Sequence, residues 1–338
     1  MGALKSFSIL GIIGLTLTLL VVGAPVIVPI VISLFLWHLI NALADGFQFF
    51  IRGKRFISIT LSILLTMVFF WVPLELASGS IPQLIEQAPK FQKNLEDITN
   101  KIFIFFNVTQ SEVLTQLRDH ANIPGLASNL AGILASATGN LMLVLLYTTF
   151  LMVDQCYFGP KMRAMFPDEV VRLRVEKLFS NINEQIRKYL LIKTFLSILT
   201  GFLSYLIFVI EGIDFAEFWA VLIFFLNYIP TIGAFLGVIF PAFLALVQFE
   251  TIYPFLIVFF GCGMIQFLVG NMLEPKMMGK SMNLSTFVIV LSLVVWSFIW
   301  GFVGAFLSVP MMVILLIIFK EFPSTKKAAI VISGTGEL

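Results

Sequence analysis

Charged residues are scarce in this sequence. Aspartate, glutamate, lysine and arginine make up 12% of its 338 residues, whereas ordinary soluble domains carry about 25%. Hydrophobic residues make up 59%, and no lysine or arginine occurs between Thr194 and Leu273. A soluble fold cannot bury eighty consecutive residues this apolar, so the composition excludes a water-soluble protein. The net charge of +2 is too small to indicate a nucleic-acid partner.

Residues that commonly carry chemistry are also rare. The two cysteines, Cys156 and Cys262, lie in different segments and predict no disulfide framework. With two histidines and no clustered ligand spacing, we expect no metal site. The sequence contains no Walker motif, dinucleotide fingerprint or nucleophile elbow. We therefore expect no cofactor, no enzymatic activity and no ATP-driven pumping by this chain itself.

Long apolar segments recur along the chain, and several exceed the roughly 18 residues that mark a spanning helix. The last of them is too long for one span, and Gly301, Gly304 and Pro310 interrupt it, so it is either a hairpin or a long broken helix. The sequence predicts an all-α polytopic membrane protein with eight to ten membrane-embedded segments, some interrupted or re-entrant. The apolar segments are 6–22, 25–43, 56–77, 128–153, 191–210, 216–229, 231–249, 253–270 and 286–319.

Basic residues predict the orientation of these segments, because short loops rich in lysine and arginine stay in the cytoplasm. Most of them lie in 44–55, in 154–193 and near the C-terminus. An even number of crossings between these groups places them and both termini in the cytoplasm. The predicted regions are transmembrane helices 1–77, an extracytoplasmic amphipathic insertion 78–127, a transmembrane helix 128–153, a cytoplasmic interfacial helix 154–190, a C-terminal bundle with broken helices 191–321, and a cytoplasmic tail 322–338.

The insertion carries a heptad seam, which needs an apolar partner. We expect either a subunit contact or a lid over a pathway, or else a helix that lies on its own membrane domain. Thr109 with Glu112 predicts the start of a second helix in the insertion. The seam residues are Leu84, Ala88, Phe91, Leu95, Ile98, Ile102 and Phe105.

The first candidate site runs from Asn227 to Pro241 and opens with the polar interruption from Asn227 to Gly233. Pro230 lacks an N–H group and disrupts the helix before it. The side chains of Asn227, Tyr228 and Thr231 are the local candidates to bind the carbonyls that this break frees. The interruption is either a hairpin that lines a substrate path or a tight turn between packed helices.

A second candidate site follows Gln266, which lies inside an apolar helix. The helix ends around Asn271, Glu274 and Pro275, and Gly279 follows. A carboxylate at a membrane-embedded helix end is a functional candidate, because it is costly there unless it is paired. Lys276 and Lys280 are its predicted partners, and such a pair at the surface is the alternative interpretation. Lys193 is expected to extend to the inner membrane surface.

The third candidate site runs from Trp296 to Pro310. Gly304-Ala305-Phe306-Leu307 repeats Gly233-Ala234-Phe235-Leu236, and a proline follows each motif. Paired interrupted helices in two places indicate a transport site, although chance also explains a four-residue match.

Together these blocks resemble the AI-2E family of transporters, the PerM-like permeases. The blocks are Asn227 to Gly233, Gly270 to Gly279 and Gly301 to Pro310, and the resemblance spans essentially the whole chain. It implies a multi-pass inner-membrane protein, usually homo-oligomeric. It also implies export of autoinducer-2, as assigned to some members, or sodium- or lithium-for-proton exchange, as assigned to others. The positions carried over are Asn227, Pro230, Gly233, Asn271, Glu274, Pro275, Gly279, Gly301, Gly304 and Pro310.

Export of a small, neutral, polar solute is the function that these features favour, because amide and hydroxyl side chains at helix breaks offer donors and acceptors. Cation/proton exchange is the alternative, but it normally requires a carboxylate near mid-bilayer, and every acid here lies near a segment end. A non-transporting scaffold is the third hypothesis. The expected partners are the solute and the lipid bilayer. The predicted pathway residues are Asn227, Tyr228, Pro230, Thr231, Gly233, Gln266, Asn271, Glu274, Pro275, Gly279, Gly301, Gly304 and Pro310.

Overall fold

The computed structural model describes residues 2–51, 55–106, 125, 141–249, 251–279 and 283–337, which are almost entirely α-helical. A π-helical turn, Val269–Leu273, joins two of the helices, and a 3-10 turn, Gln155–Tyr157, interrupts another. The helices are α1 (Gly2–Val22), α2 (Ala24–Ile51), α3 (Arg55–Phe106), α4 (Leu141–Met165), α5 (Glu169–Glu211), α6 (Ala216–Leu226), α7 (Ile232–Phe249), α8 (Ile252–Leu268), α9 (Glu274–Met278), α10 (Thr286–Glu321) and α11 (Lys326–Ile332).

Seven helical stretches within these ranges are long and apolar enough to cross a membrane. The all-α polytopic fold is therefore confirmed. The short helix α6 is apolar as well, but its 11 residues extend only about 16 Å, roughly half of the hydrocarbon thickness. The predicted helix start at Thr109 and Glu112, and the first residues of the segment 128–153, lie outside the described residues.

Two helices continue past the segment boundaries that we predicted from the change between apolar and polar sequence. The helix α3 runs from the apolar segment into the polar insertion, and α5 runs from the basic segment into the apolar one. Helical hydrogen bonds join backbone groups, so a helix need not end where its side chains change from apolar to polar. The placement of either polar half relative to the membrane stays a prediction.

The chain divides into two compact units, which we describe separately. Unit 1 comprises Met1–Ile63, Asn140–Ile192 and Met277–Leu338, and unit 2 comprises Leu64–Gly139 and Lys193–Lys276.

In unit 2, the apolar core joins the second halves of α3 and α5 to α6, α7 and α8. Phe91 of the heptad seam is 2% exposed within this core, and Leu95 packs against it. The neighbouring Asn94 is buried, and its side-chain amide donates to the carbonyl of Val247 over 2.9 Å. This part of the seam therefore packs against its own unit, whereas a role as a lid or a subunit contact stays a prediction.

In unit 1, α10 is a helical hairpin. Ser292 and Ser308 are 16 residues apart, which is about 24 Å along a straight helix, yet the Ser292 hydroxyl donates to the Ser308 carbonyl over 2.9 Å. The chain reverses at Trp300 and Gly301, and the φ of Gly301 is +60°, which favours glycine. The indole of Trp300 donates to the Leu20 carbonyl at the end of α1 over 3.0 Å. Of the two predicted alternatives for this segment, the hairpin is confirmed.

Candidate functional site

The first helix break lies at the tip of a second helical hairpin, formed by α6 and α7 in unit 2. Here the carbonyls of Phe225 and Leu226 accept the backbone N–H groups of Tyr228 and Ile229, over 3.2 and 2.8 Å. The prediction that side chains satisfy these freed carbonyls is therefore wrong, because the tightened turn brings backbone donors within reach. The side chains of the tip remain available for other contacts.

Two polar side chains of the tip bind to helix α5. Asn227 is 6% exposed, and its amide donates to the Ser197 hydroxyl over 3.2 Å. Tyr228 is also buried, and its hydroxyl lies 2.6 Å from that of Thr194. A polar group buried in apolar surroundings is costly unless it is hydrogen-bonded. These contacts therefore fix the tip against one end of the apolar half of α5.

The remaining tip residues are less enclosed. Thr231 is exposed and has a φ of +62°, an unusual conformation for a β-branched residue. Pro230 is half-buried. Gly233 begins α7 beneath α6, and a methyl group at its Cα would overlap the carbonyl of Leu226. The close approach of the two arms explains why the chain has glycine there.

The second break places a carboxylate in a buried ion pair. The π-helical turn ends at Glu274, whose Oε1 lies 2.6 Å from the Nζ of Lys193. The Lys193 side chain is 5% exposed and that of Glu274 is 24% exposed. The prediction that Lys193 extends to the membrane surface is therefore wrong. Among the described residues Glu274 thus pairs with Lys193 and not with Lys276, whereas Lys280 lies outside the described residues and its pairing stays a prediction.

The amide of Gln266 is buried at the inner side of the α6–α7 hairpin. Gln266 is 7% exposed, and its side-chain Nε2 has no hydrogen-bond partner among the described residues. It lies 3.4 Å from the position that a Cβ of Gly237 would occupy. The other predicted residues of this break, Asn271 and Pro275, are exposed.

Four predicted pathway residues belong to unit 1, namely Gly279, Gly301, Gly304 and Pro310. Gly279 is exposed with a φ of +58°, whereas Gly304 and Pro310 are buried in the α10 hairpin. A methyl group at Gly304 would overlap the carbonyl of Trp296, just as one at Gly233 would overlap that of Leu226. That the three breaks face one water-filled passage stays a prediction.

Sequence reasoning missed the contribution of helix α5. Lys193, Thr194 and Ser197 bind Glu274, Tyr228 and Asn227, respectively, so the start of the apolar half of α5 serves both breaks. The sequence signal for this contribution was a set of polar residues at the start of the apolar segment 191–210. Among them, Lys193 and Ser197 are four residues apart and therefore lie on one face of the helix. In the described part of the chain, no group of three histidine, cysteine, aspartate or glutamate side chains forms a metal site.

Comparison with known proteins places this chain among membrane transporters. The sequence profile described as AI-2E family transporter matches residues 7–324. The chain is 29% identical over 343 aligned positions to the AI-2 transport protein TqsA of Escherichia coli K12, covering 98% of this chain and 96% of that protein. It is 29% identical over 319 positions to the putative transport protein YhhT of the same organism, covering 92% and 88%. It is 31% identical over 260 positions to a putative transport protein of Borreliella burgdorferi, covering 76% and 70%. The chain therefore belongs to the AI-2E family of transporters and is a multi-pass membrane protein.

Proposed function

We propose that the protein exports a small, neutral, polar solute such as autoinducer-2, and that the tip of the α6–α7 hairpin contacts it. The buried Asn227, hydrogen-bonded to Ser197, is the observation that carries this proposal. An amide offers both donors and an acceptor to a hydroxylated solute. The first arm of the hairpin is too short to cross the hydrocarbon layer, so its tip would lie within the bilayer.

A relative supports the choice of solute. TqsA is named an AI-2 transport protein, and the alignment with it covers nearly the whole of both chains. No phosphate-binding motif occurs in the sequence, so we infer that transport is secondary. The family resemblance further leads us to propose that the protein is a homo-oligomer in the cell inner membrane.

The proposed orientation has both termini in the cytoplasm. Arg187 pairs with Asp45 over 2.6 Å, so the C-terminal end of α2 lies beside the basic half of α5, as expected if both face the cytoplasm. The contact between Asn94 and Val247 likewise joins the insertion to the far end of α7. Both contacts agree with the orientation that the basic residues predict.

Transport of autoinducer-2 into inside-out vesicles tests the proposal. Asn227→Ala is expected to abolish accumulation because it removes the buried amide at the tip. Asn94→Ala is the matched control, since Asn94 is equally buried in the same unit and also makes one hydrogen bond. Loss of transport in both variants, or in neither, would contradict a solute contact at Asn227. Retained transport in Asn94→Ala would also exclude a scaffold that acts only through the seam.

Cation/proton exchange is a second candidate, favoured by the ion pair of Glu274 with Lys193. A partly buried carboxylate at a helix break is a candidate proton or cation carrier. Sodium-driven proton flux in proteoliposomes separates the candidates when the parent is compared with Glu274→Gln and with a control, Glu217→Gln, which changes an exposed acid of α6. Exchange requires flux in the parent that disappears only in Glu274→Gln, and absence of flux in the parent excludes it.

A further inference from the structure

Gln266 carries a buried donor that the described fold leaves unused. The residue is 7% exposed inside the apolar helix α8, and its Nε2 has no partner in the described ranges. Burying an amide donor without a partner costs stability. An apolar residue of the same length, such as methionine, would fill the position without that cost. The amide therefore calls for an explanation other than packing.

The position of this amide places it beside the hairpin. Its Nε2 lies 3.4 Å from the point that a Cβ of Gly237 would occupy, and Ile223 Cγ1 lies 3.3 Å from the same point. Gln266 thus lies where α6 and α7 face each other, and glycine at 237 leaves room for it. Asn227 follows Ile223 by four residues, about one helical turn. The two buried amides of unit 2 near this break therefore lie about one turn apart along the hairpin.

The chemistry of the group restricts what binds there. An amide NH₂ group only donates hydrogen bonds, so it cannot coordinate a metal cation. It can bind an ether, hydroxyl, carbonyl or carboxylate oxygen.

We propose that Gln266 determines specificity, its Nε2 donating to an acceptor oxygen of the transported solute between α6 and α7. This inference rests on the proposed function and deepens it, because it requires an oxygen-bearing solute. A site built around a buried donor rejects an analogue that lacks the matching acceptor, since the donor is then left unpaired.

A structural glutamine in the same unit provides the control. Gln248 accepts the backbone N–H of Asp214 and donates to the carbonyl of Gly212, each over 2.8 Å. Gln248→Met removes two hydrogen bonds, so its melting temperature is expected to fall while its KM for solute stays unchanged. Gln266→Met removes an unpaired donor, so its melting temperature is expected to stay equal or rise while its KM increases about tenfold.

The experiment measures the melting temperature of the purified protein and the transport of autoinducer-2, ribose, glycerol and lactate in proteoliposomes. The variants are Gln266→Met, Gln266→Leu and Gln248→Met. Gln266→Leu also removes the donor, so it is expected to raise KM as Gln266→Met does. The opposite responses of the two glutamine positions would separate a solute contact from a structural role.

Each outcome decides between the two proposals. An unchanged KM in Gln266→Met or Gln266→Leu overturns the inference and leaves the proposed function intact. A marked fall in the melting temperature of Gln266→Met also overturns it, because the amide then has a structural partner. If autoinducer-2 is not transported but another of these solutes is, with KM raised only at Gln266, the inference is supported and the proposed solute is wrong. If the parent transports none of them, both are overturned.

Discussion

The ion pair between Lys193 and Glu274 predicts a large energetic coupling inside unit 2. The charged atoms are 2.6 Å apart, and the side chains are 5% and 24% exposed. At an effective dielectric constant of about 20, unit charges about 4 Å apart attract by about 4 kcal/mol. Desolvation offsets much of this attraction, so the pair as a whole adds little stability, whereas removing one partner leaves a buried charge uncompensated.

The two single substitutions are expected to differ. Glu274→Gln leaves the more deeply buried ammonium unpaired and should lower the free energy of unfolding by about 3 kcal/mol. Lys193→Met leaves a carboxylate that keeps some access to water, so the loss should be about 2 kcal/mol. The double variant has neither charge and should lose only about 1 kcal/mol, which gives a coupling energy of about 4 kcal/mol, the size of the attraction at this dielectric constant.

Unfolding by SDS titration in mixed micelles, followed by circular dichroism, measures this double-mutant cycle. The matched control is the pair of Lys161 with Asp154, which is also 2.6 Å long but has side chains 55% and 53% exposed. Its cycle, with Lys161→Met and Asp154→Asn, should give less than about 1 kcal/mol. A coupling energy at Lys193 and Glu274 that is no larger than in this control would refute the argument from burial.

Three further predictions concern the hairpin and the orientation of the chain. Gly233→Ala should destabilise the protein by about 3 kcal/mol, because its methyl group meets the Leu226 carbonyl. The control Gly263→Ala has no neighbour within 4 Å and should change the free energy of unfolding by less than about 1 kcal/mol. Equal losses in the two variants would contradict the close approach at Gly233. Thr231→Gly should stabilise the protein by about 1 kcal/mol in the same titration, since glycine relieves the left-handed conformation, and a loss of stability would show that the threonine side chain holds the tip. A membrane-impermeant maleimide should label the exposed Cys156 in inside-out vesicles and not in intact spheroplasts. The reverse labelling pattern would show that the predicted topology is inverted. Cys262 is buried and should not react in either preparation.

Local features of the sequence predicted the helix breaks closely. The segments 216–229 and 231–249 correspond to α6, Ala216–Leu226, and α7, Ile232–Phe249. Pro230 and the polar residues around it together favour a break, whereas proline alone does not end a helix, since Pro241 and Pro310 lie inside helices of the same chain. The ends of α3 and α5 were less predictable, because a helix can continue through a change of polarity, and α3 continues through several prolines as well.

Contacts between distant parts of the chain were beyond this reasoning. Glu274 lies 81 residues from Lys193, and helical periodicity indicates only which face a residue occupies. Proximity in sequence favoured Lys276 and Lys280 instead. The seam at Phe91 posed the same difficulty, because its apolar pattern required a partner without indicating that the partner was the core of unit 2.

The repeated Gly-Ala-Phe-Leu motif gains a physical basis from the two hairpins. In each, the glycine begins the second arm under a carbonyl at the end of the first, that of Leu226 for Gly233 and that of Trp296 for Gly304. A duplicated hairpin would retain this close approach, so shared geometry favours duplication over a chance match of four residues. The tips nevertheless differ. The first has buried amide and phenol groups that bind α5, whereas the second reverses at Trp300 and a glycine, and its indole binds the end of α1. Since a polar solute needs polar partners, the first hairpin is where substitutions should alter selectivity, and the second is where they should alter folding.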